Sequence, residues 1–136
     1  VTDENRLRNV QLEMEKAEEA RRDVEWLLQG GRWSAAASKA YYGMFYLARA
    51  LVYCLGMEAR THEGLVHLIS LHLVRPGHFP ASMVREFSIM QALRETADYR
   101  SAVVVTEEDA REAHQALSTF RAAAEECLRE RGCLPR

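Results

Sequence analysis

Apolar residues recur along this chain at steps of three and four, and no run alternates with the period of two that a half-buried strand requires. The first segment predicts a helix from about Asp3 to Gln29. Leu7, Val10, Met14, Ala17, Arg21, Val24 and Leu28 form a heptad-like seam, and the acids between them are expected to face water. Gly30 and Gly31 end it, since glycine accepts the left-handed cap without a steric penalty. A second helix, about Trp33 to Leu55, carries three apolar stripes: Ser38, Tyr41, Phe45, Ala48 and Val52; Tyr42, Tyr46, Arg49 and Tyr53; Ala40, Met44, Leu47 and Leu51. A helix apolar on nearly all sides must be covered on more than one side. It predicts the central helix of a bundle, or one that also serves a dimer interface.

Thr61 is placed to cap a third helix carrying Leu65, Leu68, Ile69 and Leu73. The stretch RPGHFP (75–80) stops that helix, because proline lacks the backbone donor and glycine permits the turn. Ser82 is expected to cap a fourth, with Met83, Val84, Phe87, Met90 and Leu93 inward. Thr106, with Asp109 three residues on, opens a fifth in a box-like cap. Its inner face is Ala110, Ala113, Leu117, Phe120, Ala124 and Cys127, and the residues after Gly132 are expected to fray. The expected fold is all-α: an antiparallel up-and-down bundle of about five helices, one domain spanning 1–136.

Composition narrows the function classes. The 18 basic and 20 acidic residues leave a net charge of -2, so no global field draws the chain to nucleic acid or a membrane. Contact with RNA would need a local basic patch or two chains pooling theirs. Lys39 and Arg49 interrupt the most apolar stretch, which argues against a membrane span. The opening residues are polar and acidic, unlike a signal peptide. Cys54, Cys127 and Cys133 are odd in number and lack ligand-like spacing; Cys54 and Cys127 read as small core residues, and a reducing cytoplasm is expected.

The chemistry-bearing candidates are few. HEGLVH (62–67) invites comparison with zinc-protease helices, but His62 and His67 are five apart, and His72 repeats that step. Five residues turn a helix away from the face that a shared metal needs, so no metal is expected; no cofactor is expected either. Without strands there is no site for a glycine-rich phosphate loop, and no serine elbow is recognisable. The tyrosine stripe of the second helix reads first as core, with a stacking platform for bases as the alternative. Arg94 is the outlier. It shares a stripe with Met83, Phe87 and Met90, and an arginine on an apolar stripe needs an acceptor. Asp98, four residues on, can supply it. Tyr99, five residues on, would diverge from Arg94 on a straight helix.

Together these residues resemble a known family. Ser38, Tyr41 and Tyr42 form a Ser-x-x-Tyr-Tyr element; Gly56, Thr61, His62 and Gly64 form Gly-x-x-x-x-Thr-His-x-Gly; Arg94, Ala97, Asp98 and Tyr99 form Arg-x-x-Ala-Asp-Tyr. Order and spacing over roughly residues 17–125 are similar to the HEPN domain family of prokaryotes, in its small stand-alone branch. The resemblance implies a dimerising helical bundle in a bacterial or archaeal cytoplasm. It also implies a toxin–antitoxin setting with a minimal nucleotidyltransferase as partner. Active relatives are metal-independent RNases that place an arginine, four to six residues, then a histidine at the dimer cleft. Histidine would exchange the proton of the 2′-hydroxyl, and arginine would stabilise the phosphorane charge.

Here four residues separate Arg94 from Tyr99 where that histidine would stand. A phenol ordinarily titrates near 10, far from the optimum for proton transfer at neutral pH. The resemblance also makes Tyr99 the candidate acceptor of an adenylyl group from a transferase. Three readings follow. One is a homodimeric binding module, with Arg94, Asp98 and Tyr99 at the centre and Ser38, Tyr41, Tyr42, Thr61 and His62 contacting nucleotide, RNA or the transferase. Another is an RNase toxin in which Arg94, Asp98 and Tyr99 are catalytic. The last is a helical oligomer in which the Arg94–Asp98 pair is only structural.

Overall fold

The computed structural model describes residues 2–99 and 104–136, which form helices and turns and contain no strand. Five α-helices follow the expected order: α1 (Asp3–Gln29), α2 (Trp33–Cys54), α3 (His62–Ile69), α4 (Ala81–Tyr99) and α5 (Glu107–Glu130). Their ends use the predicted side chains. Thr61 Oγ1 accepts the Gly64 N–H at 3.0 Å, and Thr106 and Asp109 exchange both bonds of a capping box. A π-helical turn, Ser70–Val74, extends α3, with the Arg75 N–H reaching back to the Ser70 carbonyl at 3.0 Å. The chain then turns through 75–80 and enters α4.

As its all-round apolarity required, α2 is the central element. It packs along α1 and α5 and against α4. Ala36, Ala37, Ala40, Tyr41, Met44, Leu47, Ala48, Leu51 and Val52 are all buried. The small residues admit close neighbours. A Cβ on Gly43 would stand 2.8 Å from Leu117 Cδ1 and 3.5 Å from Ala20 Cβ, so α2 approaches both α5 and α1 there. Phe87 from α4 and Phe120 from α5 close the core, their ring centroids 5.7 Å apart.

Four local expectations are corrected. Leu7 of the α1 seam is 41% exposed, because the seam's first turn runs past the core. Not every acid of α1 faces water: Glu13 is only 2% exposed, with Oε1 3.0 Å from Arg49 Nε of α2. Ser82 does not precede α4 but lies inside its first turn, where the Met83 N–H bonds to the Pro80 carbonyl at 3.1 Å. The residues after Gly132 are not loose. Cys133 is buried and disulfide-bonded to Cys54 across 79 residues, which leaves Cys127 as the free, buried thiol. Cys54 is in the core as read, and it is also half of a staple between the end of α2 and the C-terminal segment.

Candidate functional site

The three sequence elements converge. Ser38, Tyr41 and Tyr42 lie three and four residues apart and so share one face of α2. That face meets α4 at Arg94 and Asp98. Ser38 Oγ donates to Asp98 Oδ2 at 3.4 Å, and Arg94 Nη1 donates to the same oxygen at 3.5 Å. Both contacts are long, so Asp98 holds the guanidinium loosely. The other neighbours of the guanidinium are aromatic rings. Its guanidinium carbon lies 5.4 Å from the Tyr41 ring centroid, 5.6 Å from that of Tyr42 and 5.8 Å from that of Tyr99. The reach of the arginine along α4 overcomes the angular divergence expected between Arg94 and Tyr99.

Arg94 Nε is enclosed and has no acceptor among the described residues. Burial by itself opposes the arginine's charge. Tyr42, Tyr99 and Asp98 around the group outweigh it, and the net displacement of its pKa is upward. The result is a fixed cation on a floor of π faces, of the kind that holds guanidinium groups by cation–π attraction. Tyr42 and Tyr99 are 36% and 75% exposed, so the rings flanking the cation on one side are open to solvent.

Beneath this surface lies a second layer. Tyr41 is buried, stacks on Phe87 with centroids 5.4 Å apart, and shares a 2.9 Å hydrogen bond with His62 Nδ1. Burial pushes the Tyr41 phenol up to about 12, so it stays protonated. His62, the first residue of α3, is also buried, with Nε2 3.2 Å from Ser88 Oγ. Burial lowers its pKa and Arg94 adds to the effect, against the opposing carboxylates of Glu63 and Glu95. The Gly-x-x-x-x-Thr-His spacing makes this placement possible. Gly56 takes φ +78° to leave α2, and the Thr61 cap starts α3 at the residue that must point inward.

Of the predicted site residues, then, Arg94, Asp98, Tyr99, Ser38 and Tyr42 form the accessible cluster. Tyr41 and His62 support it from within. The Thr61 hydroxyl is engaged in capping α3. Sequence does not single out Ser88: it is a serine 26 residues from His62 on a helix, with no local signal linking the two. No helix among the described residues is long and apolar enough to cross a membrane.

The chain is a five-helix bundle in which an arginine lies over tyrosine rings of its second and fourth helices. Residues 10–127 match the HEPN domain, and the chain belongs to the HEPN family. It is 30% identical over 89 residues to UPF0332 protein glr0978 of Gloeobacter violaceus, covering 65% of this chain and 71% of that protein. It is 25% identical over 97 residues to a Methanocaldococcus jannaschii protein named "Putative toxin MJ0142", covering 71% and 66%. A second protein of that organism, "Putative toxin MJ0605", is 28% identical over 99 residues, covering 73% and 74%. Among solved structures, TT1696 from Thermus thermophilus superposes with a TM-score of 0.75 over 88% of this chain and 98% of its own; at 20% identity this concerns the fold alone.

Proposed function

We propose that this HEPN protein is a toxin-type homodimeric binding module. Its Arg94 cluster takes the phosphate and base of a nucleotide or RNA, beside a minimal nucleotidyltransferase partner. One observation carries the reading: a guanidinium sits over three tyrosine rings with only a 3.5 Å contact to a carboxylate. A phosphate can displace so long a contact at small cost, and the open faces of Tyr42 and Tyr99 suit base stacking, which tolerates any sequence. The toxin names of two relatives support the toxin side. On α4, Ile89 is 56% exposed and Tyr99 75% exposed, which suits a second copy approaching along this helix.

The binding is tested by titrating a fluorescent oligoribonucleotide into wild type and Arg94→Gln. The variant should bind about tenfold to a hundredfold more weakly, the worth of a hydrogen bond to a charged group. Equal affinities would sink the reading. Sedimentation of wild type and Ile89→Glu tests the dimer, and co-purification with a transferase-like protein from native cells tests the partner.

The RNase alternative draws on Asp98 and Tyr99 standing beside the same arginine. Hydrolysis of RNA needs a group that takes a proton near neutral pH. The imidazole near this cluster, His62, is buried and has both nitrogens engaged. That arrangement favours binding over catalysis. RNA cleavage by purified protein that disappears in Arg94→Gln would reverse the preference.

A further inference from the structure

His62 joins three helices at one point. From α3 its Nδ1 meets the Tyr41 hydroxyl of α2 at 2.9 Å, and its Nε2 meets Ser88 Oγ of α4 at 3.2 Å. Its ring lies against Phe87, centroids 4.3 Å apart, and stacks on Tyr41 at 5.9 Å. Tyr41 in turn carries the Arg94 guanidinium on its ring at 5.4 Å. A continuous chain therefore runs from the exposed serine through a buried imidazole and a buried phenol to the cation. Nothing about packing alone requires a hydrogen-bonding ring at this point; a phenylalanine would suit neighbours such as Phe87 as well.

We propose that His62 is the positioning residue of the Arg94 site, orienting Tyr41 so that the guanidinium is held against its ring with the open side toward Tyr42 and Tyr99. This rests on reading the Arg94 cluster as the binding site. His62 contacts no ligand; it acts through Tyr41.

The proton inventory gives the device a direction. A neutral imidazole has one donor and one acceptor. Tyr41 donates to Nδ1 while Nε2–H donates to Ser88, or Ser88 donates to Nε2 while Nδ1–H donates to Tyr41. Either tautomer bonds both neighbours, but only the first gives the buried Tyr41 hydroxyl hydrogen an acceptor. In an imidazolium both nitrogens donate, and the buried Tyr41 hydroxyl hydrogen loses the acceptor that it has among the described residues. The new cation also stands in the field of Arg94.

The polar and charged groups around the ring are Tyr41 from α2, Glu63 on α3 itself, and Ser88, Arg94 and Glu95 from α4. Glu63 and Glu95 favour protonation; burial and Arg94 oppose it and prevail. The neutral, orienting form is thus fully present above the ordinary histidine pKa near 6.5. It is lost as pH falls through the lower value of the folded protein.

The test is an NMR pH series on the full chain, following the His62 ring nitrogens and the Arg94 Nε–H, whose resonance three flanking rings displace. The Arg94 signal should move along the His62 titration curve in wild type and show no such transition in His62→Phe. His62→Gln, which keeps a donor and an acceptor, should restore its neutral-pH position. A fluorescein-labelled oligouridylate should bind His62→Phe about fivefold to tenfold more weakly near neutral pH, the effect of one lost orienting hydrogen bond, and bind His62→Gln nearly as wild type. An Arg94 signal indifferent to the His62 titration overturns the proposal. That series needs wild type only, so it decides the matter even if a variant fails to fold. Should Arg94 follow His62 while no form binds the oligouridylate, the positioning role stands and the RNA reading falls.

Discussion

The buried pair between Glu13 of α1 and Arg49 of α2 gives the sharpest stability prediction. Glu13 has a side chain only 3% exposed, and its Oε1 lies 3.0 Å from Arg49 Nε. Its Oε2 is enclosed without a partner among the described residues, and the other cation paired with this carboxylate, Lys16, is 3.9 Å away and 55% exposed. Arg49 Nε is likewise enclosed and makes no hydrogen bond among the described residues, so the pair is an ion contact; Arg49 donates instead through Nη2 to the Tyr53 hydroxyl at 3.0 Å, which donates on to Glu58 at 3.3 Å. At an effective dielectric of about 20, two charges so close attract by roughly 5 kcal/mol, and much of that offsets the cost of taking the carboxylate out of water. Arg49→Met removes the attraction and leaves the desolvation, so it should cost about 3–5 kcal/mol. That is a large share of the roughly 5–15 kcal/mol by which such a domain is stable. Glu13→Leu with Arg49→Met removes both terms and adds apolar contact, so the double variant should lie within about 1 kcal/mol of wild type or above it. Urea unfolding of wild type, both single variants and the double variant closes the cycle. A loss below about 1 kcal/mol for Arg49→Met, or a double variant as unstable as the sum of the singles, would refute the account.

Three further outcomes are expected. Cys133→Ser opens a loop closed across 79 residues and should lower stability by about 2–4 kcal/mol, with wild type in reductant falling similarly in thermal scans. Hydrogen bonding from Arg21, with Arg121 adding to it, holds the Glu18 carboxyl at about 2 against an ordinary 4.5. The stability this contributes is present above pH 4.5 and lost as pH falls toward 2; with these side chains 27–28% exposed, screening leaves about 1 kcal/mol, so acid unfolding of Glu18→Gln should begin from a lower plateau and lack that part of the slope. Gly43→Ala gains about 1 kcal/mol of helix propensity but pushes a methyl to 2.8 Å from Leu117, and overpacking of about 1–3 kcal/mol should leave it destabilised; a raised melting temperature would show that Leu117 yields freely.

The sequence by itself determined the helices. Periodicity, glycine stops and the Thr61 and Thr106 caps are local effects, so they are legible over a few residues and recur in the structure with boundaries nearly as read. The centrality of α2 is legible for the same reason, since a helix apolar all round has nowhere else to go. Tertiary structure alone decided which polar groups meet. In sequence Glu13 is like any water-facing acid; α2 brings Arg49 to it. Cys133 reads as part of a loose tail, and the bundle's end places it beside Cys54. His62 groups by motif with residues that touch a partner, yet the packing of α3 on α2 and α4 turns it inward to Tyr41 and Ser88. These pairings span 21 to 79 residues, where no spacing rule applies. They are set by side-chain reach and burial, which exist only once the helices have packed.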